Sequence, residues 1–198
     1  LKMPLPAVQR RMGIAQKELA EQWKKNPVDF YKDNETYLFD LATFNRDKLY
    51  FQTRLGQLLN IKGIKILDIG CGIGTAVFSL AEQGNEVVGW DINQKCIDFC
   101  LFKKKKYSLG GEFTTGKPDY SQFDLIVAID VLEHIENLEE FLLELGNEMK
   151  YGGKFYHSDY FPKGDTWPMH YEENATKLDD WLKQGKLISW DIRWCIKS

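Results

Sequence analysis

What this 198-residue sequence lacks narrows the field before any motif is considered. It holds no apolar run of roughly 18 residues and no signal-peptide pattern at its start, so it predicts a soluble cytoplasmic chain without a membrane span. It has no excess of positive charge. With 26 Lys and Arg against 29 Asp and Glu, the net charge is −3, which makes a nucleic-acid partner unlikely and favours a small molecule. Its four cysteines include no CxxC pair, and Cys96 and Cys100 fit one face of a helix, so reduced thiols and no structural zinc are expected. Repeats and low-complexity segments are missing too. The single charge block, Lys103–Lys106, closes a predicted helix, where cations suit the negative end of the dipole.

What is present divides at about residue 60. Residues 1–60 show helical periodicity in Val8, Met12, Ala15, Leu19 and Trp23, and again in Leu41, Phe44, Leu49, Leu55, Leu58 and Leu59. Between these lies NPVDFYKDNETYLFD, aromatic and broken by Pro27, which reads as a flap, so residues 1–60 are expected to form a helical lid or cap. From Ile64 onward short apolar runs alternate with helical stretches: KILDI, EVVGW, FDLIVAI and GKFYHS, each followed by a helix, and last KLISWDIRWCI. Such alternation predicts a doubly wound α/β fold with a mostly parallel, Rossmann-like sheet over residues 61–198. The closing segment shows no turn between two strands, so its final hairpin is expected to be truncated.

The first strand runs into LDIGCGIG, with Asp68 ahead of Gly70, Gly72 and Gly74. In an open parallel sheet the ligand sits beyond the carboxyl ends of the strands, where glycines let backbone approach it closely. Asp91 ends the second strand seventeen residues after Gly74, where a carboxylate can accept both ribose hydroxyls. The spacing is G-x-G-x-G rather than the G-x-G-x-x-G of a dinucleotide site, and Asp68 would repel a pyrophosphate. Strand, glycines, helix, strand and acid in this order describe an adenosine ligand that is cationic and free of phosphate. S-adenosylmethionine has those properties.

These motifs resemble the class I S-adenosylmethionine-dependent methyltransferases. LDIGCGIG is similar to their first motif, VVGWDIN to their ribose-binding strand, FDLIVAIDVLEHI to their fourth strand and MKYGGKFYHS to their fifth. The resemblance spans residues 61–182 and implies a seven-stranded sheet. It also implies cofactor contacts from Asp68, Gly70, Cys71, Gly72, Gly74, Asp91, Ile92 and Asp130. One departure lies in GEFTTGKPDYSQFD, which lacks the usual acid facing the adenine amine; Asp119 is the nearest substitute.

After the fourth strand comes AIDVLEHIENLEEF. The i, i+3, i+4 spacing of Asp130, Glu133 and His134 would put all three on one side of a helical turn at the ligand edge, within reach of His170 from the loop after the fifth strand. Two carboxylates and an imidazole can hold a divalent metal, serve as general base or hydrogen-bond the loop, and the residues alone leave these open. The segment resembles the E-x-x-E-H of quinone-biosynthesis O-methyltransferases and of small-RNA 3′-end 2′-O-methyltransferases. That resemblance implies Asp130, Glu133, His134 and His170 as ligands of Mg²⁺ or Mn²⁺, with Asp130 one methylene shorter than the usual glutamate. His157, inside a strand, reads as a core or edge residue, while Tyr31, Tyr37, Phe39, Tyr160, Phe161, Trp167 and Tyr171 could cover the active edge.

The leading expectation is an enzyme methylating a small-molecule hydroxyl, with His134, Glu133 and Asp130 carrying the chemistry. The alternatives are 2′-O-methylation of an RNA end and a noncatalytic S-adenosylmethionine-binding subunit.

Overall fold

The computed structural model describes residues 5–27, 29–32, 34–44, 53–161 and 169–198. Leu49, Trp167 and the side chains of Val8, Met12, Phe39 and Phe44, all used in the sequence reading, lie outside what is described. The chain opens with α1 (Leu5–Lys25) and α2 (Glu35–Phe44), so the second half of the expected flap is helical. Then follow β1 (Lys65–Ile69), α3 (Thr75–Glu82), β2 (Glu86–Trp90), α4 (Gln94–Tyr107), β3 (Glu112–Thr114), β4 (Leu125–Ile129), α5 (Leu138–Glu148), β5 (Lys154–Ser158), α6 (Leu178–Gln184), β6 (Leu187–Asp191) and β7 (Trp194–Lys197).

The seven strands form one sheet in the order β3-β2-β1-β4-β5-β7-β6. The first five are parallel, and β7 runs antiparallel to both β5 and β6. The hairpin expected to be truncated is therefore present. It escaped notice because its turn, Ile192–Arg193, carries none of the usual Gly, Asn or Asp signals, and because a register shift between Ser189 and Asp191 breaks the alternation.

The sheet is covered on both faces, which is why its central strands are apolar throughout. Leu67, Ile126 and Phe155 point toward Leu138, Leu142 and Leu145 of α5. On the other face Ile66, Leu125, Val127 and Tyr156 meet Ala76, Val77 and Leu80 of α3, together with Leu55 and Leu58. Leu55 and Leu58, which fall within the expected lid, thus belong to the core under the sheet. Each such fully buried aliphatic side chain contributes about 2 kcal/mol of transfer free energy, which fixes strand register and so the position of everything at the strand ends.

Local caps finish the frame. The Asn93 side chain accepts from Lys95 N and Cys96 N and starts α4, whose last turn carries Lys104, Lys105 and Lys106. Lys103 turns back to donate to the Ile73 carbonyl at 2.9 Å, beside the glycine loop.

Candidate active site

β1 hands the chain to α3 through the glycine loop. Gly70 adopts a φ of 64°, and a Cβ on it would lie 2.5 Å from Val131 Cγ2. Gly72 has a φ of 51°, with Leu41 Cδ1 3.2 Å from where its Cβ would stand. Both the left-handed backbone and the close neighbours call for glycine. Gly74 is the N-cap of α3.

A cavity of about 410 Å³ opens beyond the carboxyl ends of β1 and β4. Asp68, Gly70, Cys71 and Gly72 form its floor, and Asp130, Glu133, His134 and His170 one wall. Gln16, Tyr37, Asp40 and Leu41 of the N-terminal helices form its roof. Sequence residues 68 to 170 that were expected to cooperate are thus brought together, with three exceptions. Gly74, Asp91 and Ile92 do not line the cavity. Asp91 acts on its floor from behind, accepting from Gly72 N at 2.8 Å and from Asn93 N at 2.8 Å. Ile92 stands half-exposed next to it. Asp119 is also elsewhere: its oxygens accept from Ser121 N, Ser121 Oγ and Gln122 Nε2, closing its own turn.

The electrostatics suit a cation. Asp68 is 3% exposed, and burial, followed by the nearby charge of Asp91, pushes its carboxyl up to about 8. Burial raises Asp91 as well, against the two backbone donors that favour its charged form. Burial also raises Asp40 in the roof. A neutral acid in such a place ionises when a positive group arrives.

The expected helical turn holding Asp130, Glu133 and His134 is not a helix. Asp130 sits at a φ of 51°, held by its N–H to the Ser158 carbonyl at 2.7 Å, and only Leu132–His134 make a single 3-10 turn. Aspartate tolerates this left-handed position better than most residues. Asp130 shares the wall with the other two but is not among the donor atoms that converge there, and its Oδ1 meets Arg54 Nη2 at 3.0 Å. Arg54, which also donates to Ser158 Oγ at 3.2 Å, lines the cavity and was missed by the sequence reading, where it was one more residue of a helical stretch. Gln16 and Leu41 were missed for the same reason, and Asp40 because it stood inside the expected flap.

What converges is Glu133, His134 and His170, with donor atoms all within 4.8 Å of one another. Glu133 is 1% exposed; Oε1 accepts from Tyr160 N at 3.2 Å, and Oε2 is buried without a hydrogen-bond partner among the described residues. Burial pushes this carboxyl up to about 9, helped by the charges of Asp130 and Asp159. Burial lowers His134 to about 4, opposed by its hydrogen bond to Met169 and reinforced by His170, so its imidazole is neutral. The two rings are tilted 56° with centroids 4.8 Å apart. His134 Nδ1 also meets the Tyr31 hydroxyl at 2.9 Å.

His157 is a buried residue of β5, as expected, with Nδ1 2.6 Å from Asp159 Oδ2. Burial alone would lower it, but Asp159 and Cys195 together hold it up at about 10.

Sheet order, glycine loop and the acid ending β2 define the class I S-adenosylmethionine-dependent methyltransferase fold. The sequence model of the methyltransferase domain matches residues 41–193, and the chain belongs to that family. It is 33% identical over 97 residues to a ubiquinone biosynthesis O-methyltransferase of Pelagibacter ubique, covering 47% of this chain and 40% of that one. It is 37% identical over 125 residues to phosphoethanolamine N-methyltransferase 1 of Arabidopsis thaliana, covering 59% of this chain and 25% of that one. The chain thus spans less than half the length of these curated relatives. Among solved structures, an S-adenosylmethionine-dependent methyltransferase from Aquifex aeolicus superposes with a TM-score of 0.63 at 17% identity, over 80% of this chain and 97% of that one.

Proposed function

We propose that this chain binds S-adenosylmethionine and methylates a hydroxyl oxygen of a small molecule. The observation that carries the reading is the cavity itself, which a cation-ready Asp68 on a glycine floor lines together with Glu133, His134 and His170. When bound, the cofactor supplies a methyl group already activated by a positive sulfur.

The chain's own groups then have three tasks. Asp68 ionises beside the cofactor's ammonium, and Arg54 offers the matching cation to its carboxylate. Asp91 keeps a second lone pair on each oxygen for the ribose, with Ile92 beside it, while Gly70, Cys71, Gly72 and Gly74 let the backbone lie close. The two N-terminal helices, with Gln16, Tyr37, Asp40 and Leu41 as roof, serve as a lid that excludes water.

A hydroxyl acceptor must also lose its proton, which the wall serves. The unpartnered Glu133 oxygen and the neutral imidazole of His134, with His170 alongside, fit a divalent ion such as Mg²⁺ or Mn²⁺. Bound there, such an ion would lower the pKa of an acceptor hydroxyl. Asp130, engaged by Arg54, is not part of this set and stays a neighbour of the cofactor instead. A nitrogen acceptor is the second reading, favoured by the Arabidopsis relative.

The test combines calorimetry with S-adenosylhomocysteine and transfer of labelled methyl from S-adenosylmethionine to a panel of phenols, alcohols and amines, with and without EDTA. Binding, and labelling of hydroxyls that EDTA abolishes and Mn²⁺ restores, are expected. Failure to bind overturns the cofactor assignment, labelling of amines alone overturns the hydroxyl, and indifference to EDTA overturns the metal.

A further inference from the structure

Tyr31 lies outside the residues matched to the methyltransferase family, yet it reaches the centre of the site. Nδ1 of His134 has two neighbours, the Tyr31 hydroxyl at 2.9 Å and the Met169 carbonyl oxygen at 3.0 Å. A carbonyl can only accept, so the second contact is a hydrogen bond only when Nδ1 carries the proton. A bare Nδ1 would turn its lone pair on the Met169 oxygen within a buried pocket and leave a polar group unmet. With the proton on Nδ1, the Tyr31 oxygen becomes its second acceptor, and Nε2 is left with the lone pair.

Tyr31 is itself firmly placed. Its ring packs edge-on against His134 at 5.6 Å and sits among Trp23, Phe30 and Tyr37. The residues beside it are tied to the turn after β2: Gln94 N donates to the Lys32 carbonyl at 3.1 Å, and Lys95 pairs with Glu35 at 3.7 Å. The same short stretch therefore touches the start of α4, just after Asp91, and the imidazole of His134.

We propose that Tyr31 is a positioning residue: the Met169 carbonyl sets the tautomer, and Tyr31, seated by the N-terminal segment, accepts the same Nδ1–H and so fixes the plane in which His134 presents Nε2. The inference rests on the reading of His134 as a working residue of the methyl-transfer site. It adds that His134 is fully organised only when residues 29–32 are docked. A residue that orients a ligand or base through its far nitrogen changes what the near nitrogen can do without touching substrate.

Nitrogen-15 NMR of the ring nitrogens in the metal-free, cofactor-free protein decides it, since the chain has only three histidines to resolve. The wild type is expected to show a protonated Nδ1 and a bare Nε2 at His134. Tyr31→Phe keeps the ring and its packing but removes the hydroxyl; it should leave the proton on Nδ1, shift the Nδ1 resonance as one of its two acceptors is lost, and lower kcat about five- to tenfold, with the KM for cofactor within about twofold. A wild-type His134 protonated on Nε2, or a Tyr31→Phe Nδ1 resonance unchanged from wild type, overturns the proposal. If the wild type binds no cofactor and transfers no methyl, the functional reading fails, while the Nδ1 resonance still reports whether Tyr31 bonds His134.

Discussion

Asp91 Oδ2 accepts a hydrogen bond from Gly72 N at 2.8 Å, so the acid that ends β2 braces the loop that begins after β1. One carboxylate thereby shapes the cofactor floor from behind while its remaining lone pairs stay available. Asp91→Ala removes both functions. Calorimetric titration with S-adenosylhomocysteine should show affinity reduced at least about tenfold, the loss of a charged hydrogen bond or two. Unchanged affinity would show that the ribose is held elsewhere.

Gly70 offers a steric counterpart. Its left-handed φ and the Val131 methyl 2.5 Å from its missing Cβ make Gly70→Ala costly on two counts, about 1–3 kcal/mol by denaturant titration. Val131→Ala should relieve the steric part and leave the backbone part, so the double variant recovers some but not all of the stability. Full recovery, or none, would contradict this division.

Asp68 predicts a pH dependence. Its folded-state pKa, raised to about 8, lies above the unfolded value, so the stability linked to its bound proton is complete below about pH 4 and is lost as pH rises through 8. Glu133, raised to about 9, acts in the same direction. Unfolding of the ligand-free protein at about pH 5.5 and pH 8.5 should show a decline that Asp68→Asn lessens. In the same interval the wild type should bind S-adenosylmethionine more tightly as pH increases, because the bound cation favours the ionised carboxyl. A flat profile would mean that Asp68 is already charged.

His157 and Asp159 form a buried pair of opposite sign, with side chains 6% and 8% exposed. Removing one partner strands the other, so Asp159→Ala should destabilise the fold by about 3–5 kcal/mol. The sign for His157 follows from a folded pKa near 10: its contribution is intact below about 6.5 and disappears as pH rises through 10. Thermal unfolding of wild type and Asp159→Ala across this range should converge at the alkaline end, and parallel curves would refute the pairing.

Most of the frame was legible in the sequence because it is local. KILDI, EVVGW, LIVAI and KFYHS are strands where the apolar runs stand, and α3, α4 and α5 occupy the periodic stretches between them. Asp68 and the glycines were legible because loop position and residue type together leave few chemistries. What spacing could not show was conformation: i, i+3, i+4 implies a shared helix face only if the chain is helical, and Asp130 at a φ of 51° is not. The carboxylate counted as a ligand consequently turned to Arg54. Tyr31 was legible only as an aromatic covering the active edge, and Arg54 not at all, for another reason. Their partners, His134 and Ser158, lie 103 and 104 residues away, and neither contact leaves a local trace. The closing hairpin was missed because its turn is built from Ile192 and Arg193, residues that signal nothing by composition.

Leu41 rests over Gly72, one of the two glycines of the floor, with its Cδ1 3.2 Å from where a Cβ would stand. Floor and roof belong to one chain, so a cofactor seated on that floor would lie under the N-terminal helices. If it had to enter before the acceptor, product inhibition by S-adenosylhomocysteine would be competitive against S-adenosylmethionine and mixed against the acceptor.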